Sequence, residues 1–292
     1  MATLVCFGLG YSAQQWLKEY GARFDRIVAT TTDAARTAEL NIGARPGFTA
    51  FAFDGTASSP ELANAIAQSD ALLTSVPPDV SGDPVLRTCG TALARAPLRA
   101  IVYLSSVGVY GNHDGAWVDE TSECRPVKDH NAYRVVAERE WQDLGRRTNA
   151  SVAILRLSGI YGPGRSALDN VRRGTARHIS KPGQVFNRIH VADVAQAIEA
   201  AFARNADGIF NVTDDEPTPA GDPIVFAAKL LGVTPPPEIS FDDAKKTMSP
   251  FAASFYVDVK RVRNAKLKSE LGVALRYPSY REGLAAIHRT NG

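Results

Sequence analysis

Two glycines and an alanine near the start of the chain have the types and spacing to do chemistry. Gly8-Leu9-Gly10-Tyr11-Ser12-Ala13 follows an apolar run, Thr3 to Phe7, and leads into a helical pattern. Gly8 suits a tight turn, and Gly10 lets a pyrophosphate approach the backbone. Ala13 lets helix and strand pack closely. The first helical residues, Tyr11 and Ser12 among them, offer amides and a positive dipole end to phosphate oxygens. The ligand expected here is a dinucleotide.

The end of the second strand says which one. NAD-specific folds usually place an acid there to hold the ribose diol. Here the strand closes on Thr30, Thr31 and Thr32, with Asp33 and Arg36 following. Hydroxyls and a guanidinium suit a 2′-phosphate better than a bare diol, so NADP is expected ahead of NAD. A plain strand end, with Thr32 or Asp33 capping the next helix, is the other reading. Asp54, closing the third strand, can accept from an adenine amino group or simply begin a turn. Ser75, ending the fourth, is counted with the cofactor residues.

Other polar residues are ambiguous. His113 and Asp114 lie in a glycine-flanked loop after the fifth strand, as a substrate contact or as a polar turn before Trp117. Arg165, Arg172, Arg173, Arg177 and Lys181 form a basic cluster that a solvated helix face explains equally well. His190 and Asp193 read as loop and cap residues of the helix beginning near Val191. The basic segment Val259 to Leu271, with Val262, Leu267 and Leu271 as its apolar stripe, reads as an ordinary amphipathic helix.

The elements that must position these residues alternate. Thr3 to Phe7, Arg26 to Thr31, Phe48 to Phe53, Ala71 to Ser75 and Ala100 to Ser105 read as strands. Helical stretches such as Ala13 to Tyr20 and Ser59 to Ala67 lie between them, the latter with Ser59 as N-cap and Pro60 at the first helical position. A long helix (about Ala132 to Thr148), a strand at Ser151 to Leu157, a helix at Val191 to Arg204 and a strand at Gly208 to Val212 follow. The expected fold class is α/β, a doubly wound parallel sheet. About 1–163 and 185–212 form the dinucleotide-binding domain, and about 164–184 with 213–292 a smaller, irregular substrate domain.

Composition narrows the rest. The 292 residues are 45% hydrophobic and 22% charged, with a net charge of +2, so disorder is excluded and nucleic-acid or membrane-surface binding is not expected. Cys6, Cys89 and Cys124 include no C-x-x-C pair, which argues against a metal cage or disulfide framework and for a reducing cytoplasm. The start of the chain reads as a buried strand, not a signal peptide. A small-molecule substrate is expected, with room left for a homodimer.

Val102-Tyr103-Leu104-Ser105-Ser106-Val107-Gly108-Val109-Tyr110-Gly111 resembles the S-S-x-x-V-Y-G signature of extended short-chain dehydrogenases, the NAD-dependent epimerase/dehydratase family. Arg156 to Gly164, Arg188 to Asp193, Phe210-Asn211-Val212 and Asn264 to Gly272 resemble further family segments in the same order. The resemblance implies a Rossmann core and hydride transfer at an alcohol or ketone, often on a nucleotide-linked sugar. Ser106 then stands where the family keeps its catalytic Ser or Thr, and the arginines Arg165, Arg172 and Arg173 where relatives meet a substrate diphosphate.

Departures from the family pattern are informative. The family's Tyr-x-x-x-Lys relay is missing between His130 and Glu138. In one register Tyr133 is the tyrosine and Ala137 replaces the lysine. In the other His130 replaces the tyrosine, Arg134 the lysine, and Glu138 matches the glutamate that commonly follows. The second fits the family's spacing to the next motif better and is preferred. Phe7 stands at the family's first glycine, and Val107-Gly108 replace the Asp-Glu pair of sugar 4,6-dehydratases, which argues against that reaction. The expectation is an atypical oxidoreductase or isomerase. Its rival is a dinucleotide sensor with an eroded active site.

Overall fold

Consecutive apolar positions in the early strands require both faces of the sheet they form to be covered. The computed structural model, which describes residues 2–291, shows that arrangement. The strands are β1 (Thr3–Phe7), β2 (Arg26–Thr31), β3 (Phe48–Ala52), β4 (Ala71–Thr74), β5 (Ala100–Ser106), β6 (Trp117–Val118) and β7 (Ser151–Leu157), then β8 (Gly159–Tyr161), β9 (His178–Ser180), β10 (Arg188–His190), β11 (Gly208–Val212), β12 (Glu238–Ser240) and β13 (Arg261–Val262). Seven of them form one parallel sheet in the order β11-β7-β5-β4-β1-β2-β3. This is a doubly wound Rossmann sheet. Its strand order reverses between β1 and β4, where a crevice opens for ligands.

The main helices are α1 (Tyr11–Tyr20), α2 (Ala34–Asn41), α3 (Pro60–Ala67), α4 (Pro84–Leu93), α5 (Asp129–Thr148), α6 (Ala167–Arg172), α7 (Val191–Arg204) and α8 (Asp222–Leu230). Successive strand residues point to opposite faces and so split the core in two. Leu4, Cys6, Ile27 and Leu73 pack with Trp16 of α1 and Ile198 and Phe202 of α7. Val5, Phe7, Val28 and Leu72 pack with Leu62 of α3, Val85 of α4 and Trp141 of α5. Trp141 Nε1 also donates to Asp83 Oδ2 at 2.9 Å, tying α5 to the N-cap of α4.

Outside the sheet, β8 pairs with β10, β9 with β12, and β13 with β6. Among the described residues no helix is long and apolar enough to cross a membrane. The segment Val259 to Leu271 corrects the sequence reading. Only Ala265–Ser269 is helical, Arg261–Val262 is β13, and Lys260 is buried. Tertiary partners outcompete the helix: Asn112 Oδ1 accepts from Val259 N and Asn187 Oδ1 from Val262 N, both at 2.8 Å.

Candidate active site

A cavity of about 510 Å³ opens at the C-terminal ends of β1, β4 and β5. Gly10, Tyr11, Ser12 and Ser75 line one side. Gly8 has φ +83°, and a Cβ there would stand 2.7 Å from Ser75 Oγ, so this turn requires glycine. Ser75 Oγ donates to Gly8 O at 2.8 Å and fixes the turn. Gly10 differs: apart from Gly8 O at 4.0 Å, no atom of the chain would crowd a Cβ there. It also caps α1 without a side-chain bond, leaving the helix's first amides to a ligand. Ala13 lies in the core beneath. These residues fit a dinucleotide pyrophosphate.

The second-strand residues stand beside the turn and outside the cavity wall. Thr30 Oγ1 accepts from Gly8 N at 3.0 Å. Thr31 is buried and Thr32 exposed. Of the two cap candidates the structure uses Asp33, whose Oδ1 accepts from the amides of Ala35 and Arg36. Arg36 reaches back, its Nη2 donating to Leu9 O at 3.0 Å. Asp54 begins a turn: its Oδ1 accepts from Thr56 N and Thr56 Oγ1, bonds that hold its carboxyl below the usual range.

Across the cavity stand Ser106, His130 and Arg134; Tyr133, on the same helix, is not part of the wall. Ser106 Oγ accepts from Gly108 N at 3.0 Å, capping the turn after β5, and keeps its own hydrogen for a ligand. His130 and Arg134 lie four apart on α5. Burial lowers the His130 pKa first, and the cations Lys128 and Arg134 lower it further. Below them Glu138 is fully enclosed. It binds Arg156 through Nε and Nη2, the latter at 2.7 Å, and accepts from Ser105 Oγ at 2.5 Å. The Arg156 guanidinium lies 4.8 Å from the Tyr110 ring centroid, and Tyr110 donates to Asn211 Oδ1.

An outer chamber of about 640 Å³ adjoins this cavity, sharing Arg165, Phe186, Asn187 and Phe255 with it. The basic cluster divides there. Arg165 faces both spaces and Arg173 the outer one. Arg172 is exposed and lines neither. Arg177 donates to Ala244 O and Thr247 Oγ1, and Lys181 to Tyr256 O, tying down the C-terminal segment. His113 also lies outside both spaces, its ring against Glu123 O at 3.2 Å in the polar turn. His190 caps α7 through Nδ1, and Asp193 accepts from Arg276 N and Tyr277 N.

Asp214 is buried beside Arg188, whose carbonyl accepts from its amide at 2.7 Å. Burial pushes its carboxyl up to about 8 against the Glu216 amide and Arg188. A raised acid pKa means stability fully present below the unfolded value near 4 and lost as pH climbs to about 8. Asp214→Asn should therefore flatten the fall in melting temperature between pH 5 and 8. An unchanged slope in thermal scans would contradict this.

Sequence reasoning missed Lys128, Asn131, Asp258 and Lys260, which line the inner cavity. Asn131 directly follows His130, and in the sequence Lys260 is one charge of a basic run. Among the described residues no cluster of side chains is fit to hold a metal ion.

Comparison with known proteins decides the family. The profile of the NAD dependent epimerase/dehydratase family matches residues 85–213. Protein YeeZ from Escherichia coli (strain K12) is 32% identical over 228 residues, 74% of each chain. The chain belongs to the NAD-dependent epimerase/dehydratase family. A structure of a conserved protein of unknown function from Silicibacter pomeroyi DSS superposes with a TM-score of 0.86 at 41% identity, covering 100% of this chain and 99% of that one. A 3-diazoavenalumate denitrifying reductase from a Streptomyces species is 31% identical over 157 residues. That match spans about half of each protein, 52% of this chain and 51% of the reductase.

Proposed function

We propose that this protein is an NAD(P)-dependent oxidoreductase or epimerase-like enzyme acting at a secondary alcohol or ketone. One observation carries the reading. The glycine turn with its uncapped helix and the pair Ser106 and His130 open into the same cavity. A nicotinamide dinucleotide bound there supplies hydride chemistry. The chain's own part is to hold the substrate oxygen with Ser106 and to move its proton through His130, while Arg134 orients but relays no proton. A nucleotide-linked sugar would lay its diphosphate against Arg173 in the outer chamber. The free thiols of Cys6, Cys89 and Cys124 suit a reducing cytoplasm.

Arg36, anchored on Leu9 O where β2 ends, favours NADP. In calorimetric titrations NADP(H) should bind more tightly than NAD(H). Arg36→Ala should weaken NADP about tenfold, the scale of one charged hydrogen bond, and NAD hardly at all. Equal losses for both would remove the 2′-phosphate assignment. A second reading, a dinucleotide sensor without turnover, is favoured by the missing lysine four residues beyond His130 or Tyr133. Dinucleotide-linked oxidation of a panel of secondary alcohols separates the two: binding without any turnover supports the sensor.

A further inference from the structure

The missed residues gather on the inner wall. Lys260 is 7% exposed, and its Nζ donates to Gly111 O at 2.9 Å. Lys128, immediately before α5, donates to Ser254 O at 2.7 Å, and its Nζ lies 3.5 Å from Asp258 Oδ2. Asp258 Oδ1 is buried and finds no partner among the described residues. Burial pushes Lys260 down to about 8, Asp258 opposing that and Lys128 adding to it.

The charges do not balance. Lys128, Arg134, Arg165 and Lys260 line the inner cavity, and among the described residues Asp258 is the one acid facing them. That leaves three positive charges. A pyrophosphate on the glycine turn brings two negative ones, so one cation stays unmatched in a partly dry wall, which is costly unless an anion joins it. Arg165 lies 5.9 Å from the Tyr11 ring, on the glycine-turn side. Of the four cations Lys260 is the buried one, so an unmatched charge is costliest there. Beside these cations the surface is aromatic: Phe186 and Phe255 face both spaces, and Phe251, Tyr256 and Met248 face the outer one.

We propose that Lys260 forms a carboxylate-binding subsite in the cavity of Ser106 and His130, with Asp258 paired to Lys128, so that the substrate is an acid whose apolar remainder lies against Phe186, Phe251 and Phe255. The proposal rests on the reading of this cavity as a dinucleotide-dependent site. Lys260 keeps two N–H groups beyond its bond to Gly111 for the carboxylate, while the Lys128 charge is met by Asp258. Two sources carry such a group: an aromatic acid, which the phenylalanines favour, or the uronic acid of a nucleotide-linked sugar.

Calorimetry and thermal shift, with and without saturating dinucleotide, test it with two matched pairs: trans-cinnamate against neutral cinnamamide, and UDP-glucuronate against UDP-glucose. In at least one pair the acid should bind about tenfold more tightly than its neutral partner, the worth of one charge-assisted hydrogen bond. The responding pair identifies the source. Lys260→Met should erase the preference and leave dinucleotide affinity unchanged. Equal binding of acid and neutral partner in both pairs, or a preference that survives in Lys260→Met, overturns the subsite. The comparison in the unaltered protein needs no variant, so a misfolded Lys260→Met does not block it. Absence of dinucleotide binding is a separate result and overturns the parent reading instead.

Discussion

Glu138→Gln is expected to lower the melting temperature by about 10 °C. The carboxylate is paired with Arg156 where both side chains are almost fully enclosed. Removing one charge strands the other, which costs about 3–5 kcal/mol, and in a chain of this size each kcal/mol is worth about 2–4 °C. The cost comes from the stranded guanidinium and not from the pair's own strength. Glu138→Leu combined with Arg156→Met should therefore recover at least about half of the loss. A fall under about 3 °C for Glu138→Gln would show that water reaches the pair. Dinucleotide affinity should fall in the same variant, because this pair holds the helix that carries Arg134.

His130→Ala should reduce turnover by about 100-fold, the usual scale for losing a general acid or base, while Tyr133→Phe should change it by less than about twofold. The difference follows from placement: His130 lines the cavity and Tyr133 does not. In alcohol oxidation a neutral imidazole accepts the substrate proton, so the rate should rise with pH and level off above the His130 pKa. Burial, with Lys128 and Arg134, sets that pKa under the ordinary imidazole value. The midpoint of that rise should accordingly fall on the acid side of about 6.5, far from where a tyrosine would titrate. A rate still rising above pH 8, together with a large loss in Tyr133→Phe, would move the proton relay to Tyr133.

Most of the sheet was readable because its signals are local. Apolar runs gave β1, β2 and β7, and the Ser59-Pro60 start of α3 follows from capping chemistry. The glycine turn was readable for the same reason, since six adjacent residues carry the whole device. The preference for His130 over Tyr133 came from the family resemblance, through the spacing from Arg134 to the motif beginning at Arg156. Lys260 was unreadable because its segment has helical periodicity and still does not form a helix there. Asn187, more than seventy positions earlier, donates to Lys260 O at 3.0 Å and accepts from Val262 N, and His113 N takes Val259 O. Backbone groups satisfied by distant partners override local preference. The division of the basic cluster was hidden likewise, because which arginine faces a cavity depends on how α6 and the C-terminal segment meet.

The stripe of His130, Arg134 and Glu138 on α5 also constrains how this protein can diverge. Each residue advances a helix by about 100°, and Glu138 is locked to Arg156. One residue inserted or deleted between His130 and Glu138 would swing His130 away from the cavity or tear the buried pair apart. Descendants of this chain can therefore alter their proton chemistry only by exchanging side chains at fixed positions.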